Sequence, residues 1–255
     1  MLLTDTHIHL YAEEFDADRN DLIRKAADEN IKRFFLPNID STSIDGMKRI
    51  IDAHHETCFP MMGLHPCYVK ENYINELKKI ETELSKNNYC AVGEIGIDLF
   101  WDKTFVKQQE EVFEKQILWA SELNLPIIIH SRNSTDEIIA LLEKNTQLKN
   151  FGIFHCFTGT IEQAQKIISM GFYLGIGGVV TFKNSGMDKV VSQIDLQHIV
   201  LETDAPYLSP TPHRGKRNIP SYLKLVAQKI SEIKNCSLEE VANLTTENSK
   251  NIFKR

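Results

Sequence analysis

His7 and His9 stand two residues apart in DTHIHL, near the start of a 255-residue chain. In an extended strand alternate side chains share a face, so both imidazoles point the same way. Two imidazoles on one face can hold one metal ion, although such a pair taken alone is as readily structural. The chain repeats the theme at the ends of other apolar runs. Asp5, His65, Glu94, Asp98, His130, Arg132, His155, Glu202 and Asp204 all fall within or at the close of segments that otherwise read as buried strands. Buried polarity on that scale is costly if unpaired, and a metal centre accounts for it. His7, His9, His130 and His155 with Glu94 and Asp204 offer four imidazoles and two carboxylates. One tetrahedral ion needs fewer ligands. The set suits two ions with a carboxylate such as Glu94 bridging them. Nitrogen and oxygen ligands without thiolate point to Zn, Mn, Fe or Mg without choosing among them.

A second chemical feature follows the last apolar run. APYLSPTPHRGKRNIP (205–220) carries Arg214, Lys216 and Arg217 between Pro and Gly residues. Such a basic loop beside a metal site suits an anion, and Arg132 could assist. A phosphate bridging two metals and held by arginine is an arrangement made for phosphoryl transfer. The other histidines carry no chemistry on this reading. His54 and His55 fall at a helix end, His198 precedes a strand and His213 lies in a loop. Cys156 should face away from His155 and pack, and Cys67 has no evident base to activate it.

The elements that must position these groups alternate regularly. Apolar runs at 2–10, 31–39, 58–66, 89–98, 125–132, 151–159, 172–180 and 198–206 read as strands. Between them, apolar residues recur at helical spacing, most clearly Val112, Phe113, Ile117, Ala120 and Leu123. Ser43 and Thr160 stand where helix N-caps are expected. Eight strand–helix units of this spacing predict an α/β fold, a (β/α)8 TIM barrel formed as one domain over 1–255. Helices at 220–233 and 238–253 should then cover its outside. A doubly wound open sheet accounts for eight units less well, and no G-x-G-x-x-G follows the first strand. In a barrel the C-terminal strand ends share one face, so the polar residues above should converge.

Composition narrows the setting. Hydrophobic residues make up 42% and charged residues 25%, which excludes a disordered or fibrous chain. Five scattered cysteines without C-x-x-C exclude a disulfide framework and favour a reducing cytoplasm. No secretory leader and no apolar stretch of membrane-spanning length is evident. The sequence leaves a monomer open. The net charge of −6 argues against gripping nucleic acid by bulk charge. It says little about a site whose positive charge comes mostly from bound metal.

Taken in order, DTHIHL, GLHP, GEIGID, LPIIIHSR, HCFTG, ETDAPYLSP and RGKRN resemble the TatD family of metal-dependent deoxyribonucleases. The resemblance runs from Asp5 to the C-terminal helices and includes QQEEVFEKQILWASELNLP before the fifth strand. It implies a TIM barrel that hydrolyses phosphodiester bonds in DNA with divalent metals such as Mg, Mn or Zn. The mode it implies is often 3′→5′ exonuclease action, and a deep barrel mouth reaches a terminal phosphate only where the strand is single or frayed. It implies that His7, His9 and Asp204 hold one metal, that Glu94 bridges, and that His130 and His155 hold the second. It also implies a substrate-side role for His65, an outer supporting role for Glu202 and a phosphate contact for Arg214. Two positions depart from the family pattern. Ile219 stands between Asn218 and Pro220 where the family often has Glu. Leu99, Phe100 and Trp101 follow Asp98 where it often has Tyr. Both departures bear on substrate preference and leave the ligands intact.

The ligand set suggests a catalytic scheme. Metal-activated water attacks phosphorus, Asp204 orients it and takes its proton, and Arg214 offsets charge. His65 stabilises the leaving oxygen or positions phosphate, and Phe100 or Trp101 could stack on a base. Two other readings stay open: a small-molecule amidohydrolase, lactonase or esterase in the same barrel, and a non-catalytic metal or nucleic-acid binding protein. Relatives of the first kind commonly carry a carbamylated Lys on the fourth strand, where this chain has Glu94.

Overall fold

A computed structural model of the chain describes residues 1–86 and 88–254. Eight strands alternate with helices along it. They are β1 (Leu3–Asp5), β2 (Ile31–Pro37), β3 (Cys58–Met61), β4 (Val92–Asp98), β5 (Ile127–Arg132), β6 (Gly152–Phe154), β7 (Tyr173–Ile176) and β8 (Ile199–Leu201). The intervening helices are α1 (Arg19–Asp28), α2 (Ile44–Ala53), α3 (Tyr73–Leu84), α4 (Val106–Leu123), α5 (Thr135–Lys144), α6 (Ile161–Ser169) and α7 (Met187–Gln193). Two more, α8 (Leu223–Lys234) and α9 (Leu238–Phe253), follow β8.

The strands pair in parallel and in chain order, β1 to β3 and β4 to β8. Backbone bonds stitch the two seams. Met62 N–H donates to Ala91 O at 3.1 Å and Gly93 N–H to Met62 O at 3.0 Å, joining the ends of β3 and β4. Thr6 N–H donates to Leu201 O at 2.9 Å, joining β1 to β8. The result is the expected TIM-barrel-like α/β architecture, with all strand C-termini on one side.

The regular strands are shorter than the apolar runs. β1 stops at Asp5, β6 at Phe154 and β8 at Leu201, so His7, His9, His155, Glu202 and Asp204 lie just past regular structure. The backbone there stays bonded to its neighbours. Ile8 N–H reaches Phe35 O, His9 N–H reaches Ala205 O and Asp204 N–H reaches His7 O. Alternation therefore persists beyond the ladder, which is why the H-x-H argument still works. It is broken at Cys156 and at Asp204, where φ is +46° and +56°. Thr160 caps α6 through a capping box with Gln163, as expected. Ser43 does not cap α2. Its hydroxyl accepts from Ile39 and Asp40 N–H instead and ties down the β2–α2 loop.

The C-terminal helices do more than cover the outside. Ile252 and Phe253 of α9 join Phe35, Met61, Cys90, Ala91, Ile128, Ile153 and Val200 in one buried cluster. Phe253 stacks on Phe35 with ring centroids 3.8 Å apart. Ile128, Ile153 and Val200 lie two residues before His130, His155 and Glu202. The same inward face thus carries an apolar layer and then a polar one. α9 closes the floor of the barrel beneath the polar layer.

Candidate metal centre

Glu94 lies at the centre of the polar layer, 2% exposed, on β4. Its two carboxylate oxygens face different partners. Oε2 lies 3.1 Å from His7 Nε2 and 3.9 Å from His9 Nε2. Oε1 lies 2.9 Å from His130 Nδ1, 2.9 Å from His155 Nε2 and 3.2 Å from His65 Nε2. Asp204 Oδ1 completes the first side at 3.4 Å from His9 Nε2 and 3.8 Å from His7 Nε2. Six residues singled out in the sequence as ligands therefore meet at one place. So does His65.

Hydrogen bonds behind the ring settle which nitrogen of several imidazoles is free to bind. Tyr11 donates its only hydroxyl hydrogen to Pro37 O at 2.6 Å, so at 3.0 Å from His9 Nδ1 it can only accept. His9 thus carries its proton on Nδ1 and presents a bare Nε2. His130 Nε2–H donates to Asp98 Oδ2 at 2.8 Å and leaves Nδ1 facing Glu94. His155 Nδ1 faces Glu202 Oε1 at 3.5 Å and leaves Nε2 facing Glu94. Outer acids that hold the far nitrogen of an imidazole are the usual support of metal-binding histidines. His65 is arranged the other way. Its Nδ1 accepts from Cys67 N–H at 3.0 Å, so neutral His65 carries its proton on Nε2, the atom that faces Glu94. His65 is a donor and presents no lone pair to the centre.

The donor set fits divalent cations. His7 is 0% exposed, and neither ring nitrogen has a hydrogen-bond partner. Bare His130 Nδ1 and His155 Nε2 each stand 2.9 Å from an oxygen that also only accepts. Such pairs need either an extra proton or a cation. Burial alone would raise the Glu94 carboxyl, but the surrounding imidazoles of His65, His155, His7 and His130 hold it well below the usual range. Burial likewise opposes the charged form of Asp204, and His9, His155 and His7 hold its carboxyl down. Burial would lower His155, yet Glu94 and Glu202 raise it well above an ordinary histidine.

Local backbone is shaped for this ring. Gly96 has φ of +146°, and a Cβ there would fall 2.0 Å from His130 O. Gly175 leaves room for Glu202, since a Cβ there would lie 2.2 Å from its Oε2. Glu202 in turn accepts from Cys156 N–H at 2.5 Å. Asp5 is not in the ring, although the sequence groups it with the converging residues. It accepts from His7 N–H, Thr203 N–H and the Thr203 hydroxyl, tying the ends of β1 and β8 together. Burial pushes its carboxyl up to about 8 against those bonds.

At the rim, Arg132 and Arg214 are exposed and each rests on aromatic faces. The Arg132 guanidinium carbon lies 4.1 Å from the Phe100 ring centroid and 5.1 Å from that of Trp101. Arg214 lies 4.0 Å from Phe182. Arg217, expected to serve an anion, is instead paired with Asp18 at 2.5 Å. The sequence assigns Tyr11 no role and groups Asp98 only with the converging residues, whereas both stand behind the ring. The signal for Tyr11 was present, since it continues the alternation of His7 and His9. His54 caps the end of α2 and His213 stacks on Tyr222, so both stay outside the site.

Comparison with known proteins places the chain. The family model described as TatD related DNase matches residues 4–254. The uncharacterized metal-dependent hydrolase YabD of Bacillus subtilis (strain 168) is 40% identical over 254 residues, covering 99% of both chains. The 3′-5′ ssDNA/RNA exonuclease TatD of Pantoea ananatis is 27% identical over 255 residues, covering 98% of both. The crystal structure of the TatD homologue YjjV from Escherichia coli K12 superposes with a TM-score of 0.93 at 25% identity, covering 99% of this chain and 98% of that one. With its polar ring and its fold both in keeping, this chain belongs to the TatD-related DNase family and is a metal-dependent hydrolase of ester bonds.

Proposed function

We propose that the chain hydrolyses phosphodiester bonds at single-stranded or frayed DNA ends, removing nucleotides 3′→5′, at a site for two divalent cations. The observation that carries the two-cation reading is the split of Glu94, one oxygen toward His7 and His9 and the other toward His130 and His155. A carboxylate so divided suits a bridging role. On this reading His7, His9 and Asp204 hold one cation, and His130 and His155 the other. The 3′-5′ ssDNA/RNA exonuclease name of a relative supports the substrate class. Mg, Mn and Zn all suit this ligand chemistry. The residues act as one domain over 1–255, and five cysteines with no disulfide among the described residues suit a reducing cytoplasm. Among the described residues no helix is long and apolar enough to cross a membrane.

Bound divalent cations supply Lewis acidity, which eases ionisation of water and offsets phosphate charge. The chain's own residues do the rest. Asp204 has the most open of the ring's carboxylates, with 13% of its side chain exposed against 3% for Glu94. It therefore suits the group that orients the attacking water and takes its proton. His65 directs Nε2–H inward and donates to a substrate oxygen, on the phosphate or the departing nucleotide. Asp98 keeps His130 in the binding tautomer, and the Glu202 carboxylate stands 3.5 Å behind His155 Nδ1. Arg132 and Arg214 hold phosphate at the rim.

The test is hydrolysis of end-labelled single- and double-stranded DNA in Mg, Mn and Zn, with a chelator control, beside a panel of small esters and lactones. Shortening of single strands from the 3′ end, lost in chelator and in Glu94→Gln, is the expected result. Turnover of the small esters alone would overturn it. So would stoichiometric DNA binding with no turnover in any metal.

A further inference from the structure

Eight large hydrophobic side chains are exposed among the described residues, and five of them sit on loops at the barrel mouth. Tyr68 follows β3, Phe100 and Trp101 follow β4, and Tyr207 and Leu208 follow β8. Apolar surface gathered beside a polar site marks recognition rather than chance. Trp101 is the most open of the five at 66%, and Phe100 is exposed to 47%. Their rings meet edge to face at 4.9 Å, and Arg132 lies over both. Among the described residues no carboxylate pairs with Arg132.

This group is tied to the metal ring. Asp98 Oδ1 accepts from Phe100 N–H and Trp101 N–H, both at 2.9 Å, and so fixes the turn that displays them. Its other oxygen takes His130 Nε2–H. Arg132 ends the strand that carries His130. An exposed aromatic ring, a second ring set edge to face with it and a guanidinium beside both form a surface for a nucleobase with its phosphate. Bases stack on aromatic rings whatever their identity, and arginine adds cation–π and phosphate contact.

We propose that Phe100, Trp101 and Arg132 form a nucleobase subsite at the mouth that selects base-bearing strands over base-free phosphodiesters. The proposal rests on the phosphodiesterase reading above and names what that site prefers. Arg132 holds the phosphate of the nucleotide whose base lies on Trp101. The subsite favours a single strand, because a paired base has its faces already stacked.

The test uses the full chain in magnesium. Short oligothymidylate with phosphorothioate linkages, which resist hydrolysis, is titrated against tryptophan fluorescence beside an abasic strand of equal length and linkage. Trp119 is buried, so the response reports Trp101. Quenching by the base-bearing strand only is the expected result. Equal quenching by the abasic strand, or none by either, overturns the subsite. In a second arm, the ratio of kcat/KM for single-stranded DNA to that for an abasic strand of equal length should fall about tenfold in Trp101→Ala. It should fall similarly in Phe100→Ala, and an unchanged ratio in both overturns the proposal. Base-dependent quenching in a protein that cleaves neither substrate would keep the subsite and remove the phosphodiesterase reading. DNA cleavage without base dependence would do the reverse.

Discussion

The phenol oxygen of Tyr11 stands 3.0 Å from His9 Nδ1 while its own hydrogen goes to Pro37 O. The chain thereby fixes the proton of His9 on the side away from Glu94. Tyr11→Phe removes that acceptor and frees the ring to take the wrong tautomer. Loss of an outer partner of this kind typically costs 10–100-fold in metal affinity or activity. We expect metal affinity about tenfold weaker with the fold unchanged. Calorimetric titration of metal into the variant checks this.

His65 separates donor from ligand. Its Nε2 lies 3.2 Å from Glu94, close enough to be mistaken for a third ligand beside His130. The bond from Cys67 N–H to Nδ1 makes it a donor instead. His65→Ala should therefore keep full metal content while kcat falls on the order of a hundredfold, the scale of losing one oxyanion donor. Metal content by elemental analysis together with kinetics tells the two roles apart. Loss of metal would show that His65 is a ligand.

Glu94→Gln keeps the shape of the side chain and removes its charge. On the two-cation reading proposed above, the substitution should reduce the number of metals held per chain. Hydrolysis should fall on the order of a thousandfold. Metal stoichiometry measured after dialysis, beside DNA hydrolysis, reads both effects.

The acid limb of stability should show one identifiable group. Burial would raise Glu83, but Lys48 at 2.7 Å, Lys86 at 2.6 Å and the Tyr89 hydroxyl at 3.0 Å bring its carboxyl down to about 2. A carboxyl lowered by folding stabilises the protein above its unfolded value near 4.5. That contribution fades as the pH falls from there toward about 2. Lys48 and Lys86 are 40% and 49% exposed, so solvent screening leaves about 1 kcal/mol. Urea unfolding at neutral pH and near pH 3 should show Glu83→Gln less stable than the parent at the first and closer to it at the second.

Phe253 supports the barrel from below. It is 4% exposed and stacks on Phe35. Phe253→Ala should cost about 3–5 kcal/mol, as truncating a buried aromatic does. Thermal unfolding measures the loss. Residual hydrolysis at low temperature should keep the parent's metal dependence, since no ligand is touched.

Much of the site was legible because strand alternation is a strict rule. His7 and His9, Ile128 and His130, and Ile153 and His155 each differ by two residues and share the inner face. What sequence alone could not supply was the long-range pairing. Asp5 reads as one more converging acid, yet Thr203, 198 residues away, claims it. Arg217 reads as one more anion contact, yet Asp18 claims it. The role of α9 escaped for a related reason. An amphipathic pattern predicts a covered face, not which surface does the covering. Ser43 had an N-cap's position, but its hydroxyl found nearer N–H groups in its own loop.

The floor laid by Ile252 and Phe253 has a consequence for synthesis. All eight strands leave the ribosome before these two residues do. Until they arrive, Phe35, Met61, Ile128, Ile153 and Val200 have no lid on the side opposite the metal ring. Without α9 the barrel would be open at its base, with these apolar side chains facing solvent. A chain that stops short of Ile252 should therefore present an apolar surface at the base of the barrel while holding every residue of its polar ring.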